Sequence, residues 1–121
     1  MDSEVEQALE KDRLIDITTI GRKSGDPHRV EIGFFYDEEG LYITGRPGRK
    51  RDWLANMTAN PDFTWHFKET VQAGLPAHAT PITEETARRE VFTRILKRWK
   101  RETDMDAWVE KSPLVEVRLD S

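Results

Sequence analysis

Cysteine is absent from this 121-residue chain, which excludes a disulfide framework, a thiolate nucleophile and any thiolate-held zinc or iron–sulfur cluster. Long apolar runs are missing as well. No stretch approaches the roughly 18 apolar residues of a membrane span, so no membrane span is expected. The start, Met1-Asp2-Ser3-Glu4-Val5-Glu6, is acidic with no apolar run behind it. No secretory leader is read there, and the expected location is cytoplasmic. Excess positive charge is lacking too: 19 Lys and Arg stand against 23 Asp and Glu, a net charge of −4, which argues against a nucleic-acid partner. Histidines number three, and His66 and His78 are expected to face each other across a hairpin. With no third ligand suitably spaced, no metal site is expected. Ser24 has no His-and-acid pattern around it to make it a nucleophile. The Asn56-Met57-Thr58 glycosylation pattern falls in a predicted helix of a chain without a leader and is set aside.

What is present is enough for one core. Apolar residues make up 36% of the chain and aromatics number eleven, so one domain over 1–121 is expected, burying somewhat under ~70% of the unfolded surface. Residues 1–12 read as an acidic arm or short helix ahead of it. Leu14–Ile20 is β-branched and stops at Gly21. Arg29–Tyr36 alternates through Val30, Ile32 and Phe34, and Asp37-Glu38-Glu39-Gly40 turns the chain into a third strand, Leu41–Thr44. From Lys50 to Asn60 the apolar period lengthens to about 3.6 through Trp53, Leu54 and Met57, and Asn60-Pro61 ends this helix. Two more strands follow over 62–68 and 72–82, the second made irregular by Pro76 and Pro81. Thr83 is expected to cap a long helix with the stripe Ala87, Val91, Phe92, Ile95, Leu96 and Trp99. A helical turn at 105–111 and a last strand at 113–119 complete the pattern. The expected fold is mainly β, of α+β type: a six-stranded closed or split barrel with two to three helices.

The net charge conceals an uneven distribution. Six acids lie in residues 1–16, while seven bases lie between Arg22 and Arg51 and seven between Arg88 and Arg101. Gly21-Arg22-Lys23-Ser24-Gly25-Asp26-Pro27-His28-Arg29 reads either as a polar hairpin or as a phosphate cradle, with glycines allowing close backbone approach and Lys23 and Arg29 supplying charge. In Thr44-Gly45-Arg46-Pro47-Gly48-Arg49-Lys50-Arg51-Asp52-Trp53, four bases precede a helix, against the helix dipole unless an anion or Asp52 compensates. This is no Walker loop, because Arg46-Pro47 stands where Lys and Ser/Thr are required. The second basic cluster reads most simply as a solvated helix face. Trp65, Trp99 and Trp108 have core packing as their default reading and a flat-ligand pocket as the alternative.

Taken together, the blocks Thr18-Thr19-Ile20-Gly21-Arg22-Lys23-Ser24-Gly25, Arg29, Gly40-Leu41-Tyr42-Ile43-Thr44-Gly45 and Trp53-Leu54-Ala55-Asn56-Met57-Thr58-Ala59-Asn60-Pro61 resemble the deazaflavin-dependent nitroreductase family. That family comprises F420-dependent nitroreductases and quinone reductases on a flavin-type split β-barrel. The resemblance implies a cytoplasmic oxidoreductase in which reduced coenzyme F420 gives hydride to a quinone, nitro compound or other electrophilic small-molecule acceptor. It implies that Lys23, Ser24 and Arg29 hold the phosphate-bearing tail of the cofactor, and that the strand end Ile43, Thr44 and Gly45 lies against its ring. The basic loop of Arg46, Gly48, Arg49 and Lys50 is expected to add tail contacts, with Trp53 beside it and Asn56 in an architectural role. Trp65 and Trp108 are the residues expected at the acceptor. No side chain is singled out as catalytic, since the cofactor carries the chemistry.

Some features depart from the family pattern. Ile32 stands where many members have proline, the loop from Gly45 to Trp53 is shorter, and the C-terminal tyrosines of nitroreductase members are missing, Tyr36 and Tyr42 being the only two. Two other readings share the fold: an FMN-dependent oxidoreductase, and a non-catalytic binder of a flavin, haem or lipid-like ligand. Split-barrel flavin proteins often pair with the cofactor at the subunit interface, so a homodimer is within the expectation.

Overall fold

The computed structural model describes residues 3–120; Met1, Asp2 and Ser121 lie outside the described residues, and with them the first two positions of the acidic start. Alternation of period two builds six strands: β1 (Leu14–Ile20), β2 (Pro27–Tyr36), β3 (Leu41–Thr44), β4 (Asp62–Phe67), β5 (Ala73–Pro81) and β6 (Leu114–Leu119). All neighbours are antiparallel, and the order β1-β2-β3-β6-β5-β4 closes into a barrel when β4 returns to β1, with Ile17 opposite Trp65. Closure pairs most of the sheet edges that a short open sheet would expose. Pro76 is tolerated because β6 begins pairing with β5 only at Ala77, and Pro81 because it is the last residue of its strand.

Four α-helices are described rather than the expected two or three: α1 (Ser3–Lys11), α2 (Asp52–Ala59), α3 (Glu85–Trp99) and α4 (Met105–Lys111). The acidic start is therefore a helix, because Val5, Ala8 and Leu9 recur on one face and bury against the barrel. Glu84, not Thr83, caps α3; its carboxylate accepts from the Ala87 N–H at 2.6 Å. Among the described residues no helix is long and apolar enough to cross a membrane.

The described residues form two apolar cores. The barrel interior holds Ile15, Ile17, Phe34, Ile43, Phe63, Trp65, Phe67 and Val115, sealed by α1 and by Trp53 and Met57 of α2. Outside the barrel, Phe35, Tyr42 and Leu114 face Val91, Phe92, Ile95 and Leu96 of α3 and Trp108 and Val109 of α4. Arg88 closes this outer layer by donating to the backbone carbonyls of Ile82, Trp108, Val109 and Ser112, a cation at the negative end of α4. The β4–β5 register puts His66 opposite Gly74 and His78 opposite Asp62, so the two histidines do not face each other. His66 instead meets the Thr18 hydroxyl at 2.8 Å and His78 the Asp62 carboxylate at 2.9 Å.

The β2–β3 turn is tied to α3 by Arg94, which meets both Asp37 and Glu39, and the Asp37 carboxylate also organises the turn itself. Asp37 accepts from the Glu39 and Gly40 amides at 2.9 and 3.1 Å and from Arg94 Nε at 2.8 Å. Burial pushes its pKa up, but Arg94 and the turn amides outweigh that and hold it below the ordinary carboxylate value. A carboxyl whose folded-state pKa is depressed contributes stability above its unfolded pKa and loses it as pH falls through the folded one. Asp37→Asn should therefore cost about 1–2 kcal/mol at neutral pH. In urea midpoints measured against pH, the gap to wild type should narrow below about pH 4; a gap constant to pH 2 would refute this.

Candidate functional site

The strand β1 ends at Ile20, and the turn to β2 is closed by Gly21 N–H to Asp26 O at 2.8 Å and Gly25 N–H to Gly21 O at 2.9 Å, with Gly25 at φ +76°. Glycine at position 21 leaves room for two side chains of the turn, since a Cβ there would stand 2.7 Å from Ser24 Oγ and 2.8 Å from His28 Nε2 and would displace both. The Ser24 hydroxyl accepts from the Asp26 amide at 3.1 Å, so it shapes the turn. Asn56, buried on α2, locks this turn to the helix. Its Oδ1 accepts from Arg22 N at 3.1 Å and Arg22 Nη1 at 2.9 Å, and its Nδ2 donates to Thr19 Oγ1 at 3.1 Å. Asn56→Ala leaves the buried Thr19 hydroxyl and the Arg22 amide without this partner and should cost about 2 kcal/mol in urea unfolding. An unchanged midpoint would remove Asn56 from its architectural role.

β2 carries the open side of the barrel. It pairs with β1 from Pro27 to Gly33, but with β3 only from Phe34 to Tyr36, because the chain leaves β3 after Thr44. The edge of β2 before Phe34 thus faces a groove instead of a strand. Two adjoining clefts, of about 320 and 460 Å³, share Val30, Asp52 and Trp53 and form this groove between the β1–β2 turn, β2, the end of β3 and the entry to α2. That size suits a cofactor. Its apolar lining is Val30, Ile32 and the mostly buried Trp53; Val30 is 39% exposed, against the usual habit of an inward strand residue. Lys23 lies at one end and Arg49 and Lys50 at the other. Among the described residues none of these three side chains has an ion-pair partner, whereas Arg22 is held by Asn56 and by Asp52 at 3.5 Å. A flat apolar floor flanked by uncompensated cations fits a planar ring carrying an anionic tail.

The structure gathers Lys23, Ser24, Thr44, Gly45, Arg49, Lys50 and Trp53 around this groove. Other expected residues are not brought to it. Arg29 falls on the opposite face of β2 from Val30 because strand side chains alternate. There it bonds Asp16 at 3.0 Å, in a ladder that continues through Lys68, 2.8 Å from Asp16, to Glu31. Ile43 is fully buried in the barrel, with both strand edges paired. Thr44 spends its hydroxyl on Pro113 O at 2.6 Å, so its groove contact is through backbone. Gly48, at φ +86°, donates its N–H to Lys111 O at 3.3 Å, and Arg46 lends its carbonyl to Arg51 Nη2 at 2.8 Å.

Trp65 and Trp108 do not form an acceptor pocket. Trp65 is 0% exposed, edge-on to Phe34 at 5.2 Å inside the barrel, and Trp108 is 4% exposed against Phe92 and Trp99 in the outer core. Barrel closure puts the two indoles in different cores. Sequence reasoning missed His28, Val30 and Ile32 as groove residues. Their alternation with Phe34 marked the face they share, but only the early end of β3 leaves that face uncovered.

With this geometry in hand, comparison with known proteins is specific about the family and general about the fold. Residues 1–120 match the family model described as F420H(2)-dependent quinone reductase. No curated protein matches the chain significantly. Solved structures that it is similar to include an FAD-binding protein of Mesorhizobium loti, 18% identical over 100% of this chain and 91% of that one with a TM-score of 0.72. The haem storage protein HutZ of Vibrio cholerae is 14% identical over 99% and 90%, with a TM-score of 0.73. A putative 5-nitroimidazole antibiotic resistance protein of Bacteroides thetaiotaomicron is 14% identical over 100% and 81%, with a TM-score of 0.71. At these identities the likeness is one of fold.

Proposed function

Because the chain belongs to the F420H(2)-dependent quinone reductase family, we propose that it is an F420-dependent oxidoreductase whose acceptor is a quinone or another electrophilic small molecule taken up beside the Thr44–Gly45 strand end. The observation that carries this reading is the set of uncompensated cations, Lys23, Arg49 and Lys50, around the apolar groove of Val30, Ile32 and Trp53. When bound, reduced F420 would supply the hydride. Lys23 and the Arg49–Lys50 loop would hold its negatively charged tail. Val30, Ile32 and Trp53 would support the flat ring and keep water from its face. The backbone of Thr44 and Gly45 would set the ring's distance, since a strand end is a rigid reference for a reacting atom. We extend the proposal to a cytoplasmic location and to pairing of two copies beside the open edge of β2.

FMN is the second reading, favoured by the likeness to an FAD-binding protein; the likeness to a haem storage protein keeps a non-catalytic haem or flavin binder as the third. Parallel fluorescence titration with F420 and FMN at low and moderate salt separates these. The expected result is tight, salt-sensitive F420 binding, weak FMN binding, and oxidation of reduced F420 on adding a quinone. Preference for FMN would move the protein to the flavin reading, and haem binding with no turnover to the third.

A further inference from the structure

Arg51 is placed where a cation is electrostatically unwelcome. It occupies the position before α2, at the positive end of that helix, with Arg49 close by. The one acid in the first turn of α2, Asp52, is exposed and reaches to Arg22 at 3.5 Å. Burial, and next the charge on Arg49, lower the Arg51 pKa.

What holds the side chain there is backbone. Nη1 donates to Arg49 O and Nη2 to Arg46 O, each at 2.8 Å. The guanidinium also fills the space over Gly45, where a Cβ would lie 2.6 Å from Nη2 and 2.9 Å from Cζ and Nε. Strand end, loop and helix start are thereby interlocked through one planar group, and Gly48 N–H to Lys111 O adds a second tether at 3.3 Å. Without such a brace, mutual repulsion of Arg46, Arg49 and Lys50 would splay the loop.

We propose that Arg51 is a positioning residue that holds the Arg46–Lys50 loop as a preformed clamp for a polyanionic ligand and so sets the preference of the groove for a multiply charged tail over a single phosphate. The ligand preference rests on the F420 reading above; the bracing of the loop does not. A loop ordered in advance loses less entropy on binding, and the gain grows with the number of charges that must be met together.

The test uses Arg51→Met, Arg51→Lys and Gly45→Ala, each checked for wild-type-like circular dichroism. Trypsin cleavage after Arg49 and Lys50, followed by mass spectrometry without ligand, reads loop order; it should accelerate about tenfold in Arg51→Met. Arg51→Lys keeps the charge but offers no planar fork to span two carbonyls, so it should cleave like the methionine variant. Gly45→Ala displaces the guanidinium without changing charge; it should do the same in wild type and add little in the Arg51→Met background. F420 affinity should fall about tenfold in all three variants and FMN affinity by less than about threefold. Cleavage and F420-to-FMN ratio unchanged in Arg51→Met, or wild-type behaviour in Arg51→Lys, would overturn the bracing role while wild-type F420 binding keeps the functional reading. Failure of wild type to bind F420 would remove that reading and the ligand preference with it, while the cleavage rates still decide the brace.

Discussion

Reversing both loop charges, Arg49→Glu with Lys50→Glu, should lower F420 affinity by about a hundredfold or more at low salt and FMN affinity only a few-fold. Both side chains are exposed, line the groove and have no ion-pair partner among the described residues, so the change removes attraction without breaking a structural contact. On the proposed reading, charges of the F420 tail beyond its phosphate would reach this loop, whereas a single phosphate would be served by Lys23 alone. The effect should shrink as salt rises, because the Debye length falls from about 30 Å at 10 mM to about 10 Å at 0.1 M. Stability should move the other way or not at all, since two carboxylates before α2 suit its dipole and its neighbour Arg51. Paired titrations at two salt concentrations and a thermal melt provide the readings. Equal losses for F420 and FMN would mean that the loop does not read the tail, and no loss for either would take the loop out of the site.

Trp65→Ala should be the most damaging single change in the core. The indole is fully buried, packs edge-on against Phe34 at 5.2 Å and Phe67 at 5.7 Å, and sits on the β4–β1 seam that closes the barrel. Truncation should cost about 3–5 kcal/mol, out of a total stability of about 5–15 kcal/mol, and lower Tm by about 10–25 °C. Trp65→Phe should cost far less, because it retains most of the ring volume and removes an indole Nε1 that has no hydrogen-bond partner. Thermal melts of the two variants decide it. A small loss in Trp65→Ala, together with altered acceptor KM, would return this residue to the acceptor site.

How far the chain can be read without its fold depends on how local the determining interaction is. The β-branched run of Leu14–Ile20 and the period-two alternation of Phe63, Trp65 and Phe67 identify β1 and β4, because neighbours along the chain suffice to set local extension and which side chains share a face. The same alternation separates Arg29 from Val30, and yet the cluster of bases around Lys23 suggests that Arg29 joins them. It does not, because Asp16 on the paired strand and Lys68 beyond it claim the outer face. Alternation alone carries no register for His66 and His78, and the Asp62–His78 pairing sets one that keeps them apart. Residues 1–12 read equally as an arm or a short helix, and the helix wins because Val5, Ala8 and Leu9 have the barrel end to bury against.

The amino-acid sequence by itself determined six strands, the two turns rich in glycine and base, the helix that follows Arg51 and the family, since each depends on near neighbours in the chain. Only the tertiary structure decided which of those residues meet. β3 ends at Thr44 and leaves the first half of β2 uncovered, so the groove exists; barrel closure joins Ile17 to Trp65 and buries the indole; and the guanidinium of Arg51 finds its partners in the backbone of its own loop. The physical reason is the same in each case. Pairing across a sheet and the covering of one face by another element depend on residues distant in sequence, and no local pattern records which face will be left open.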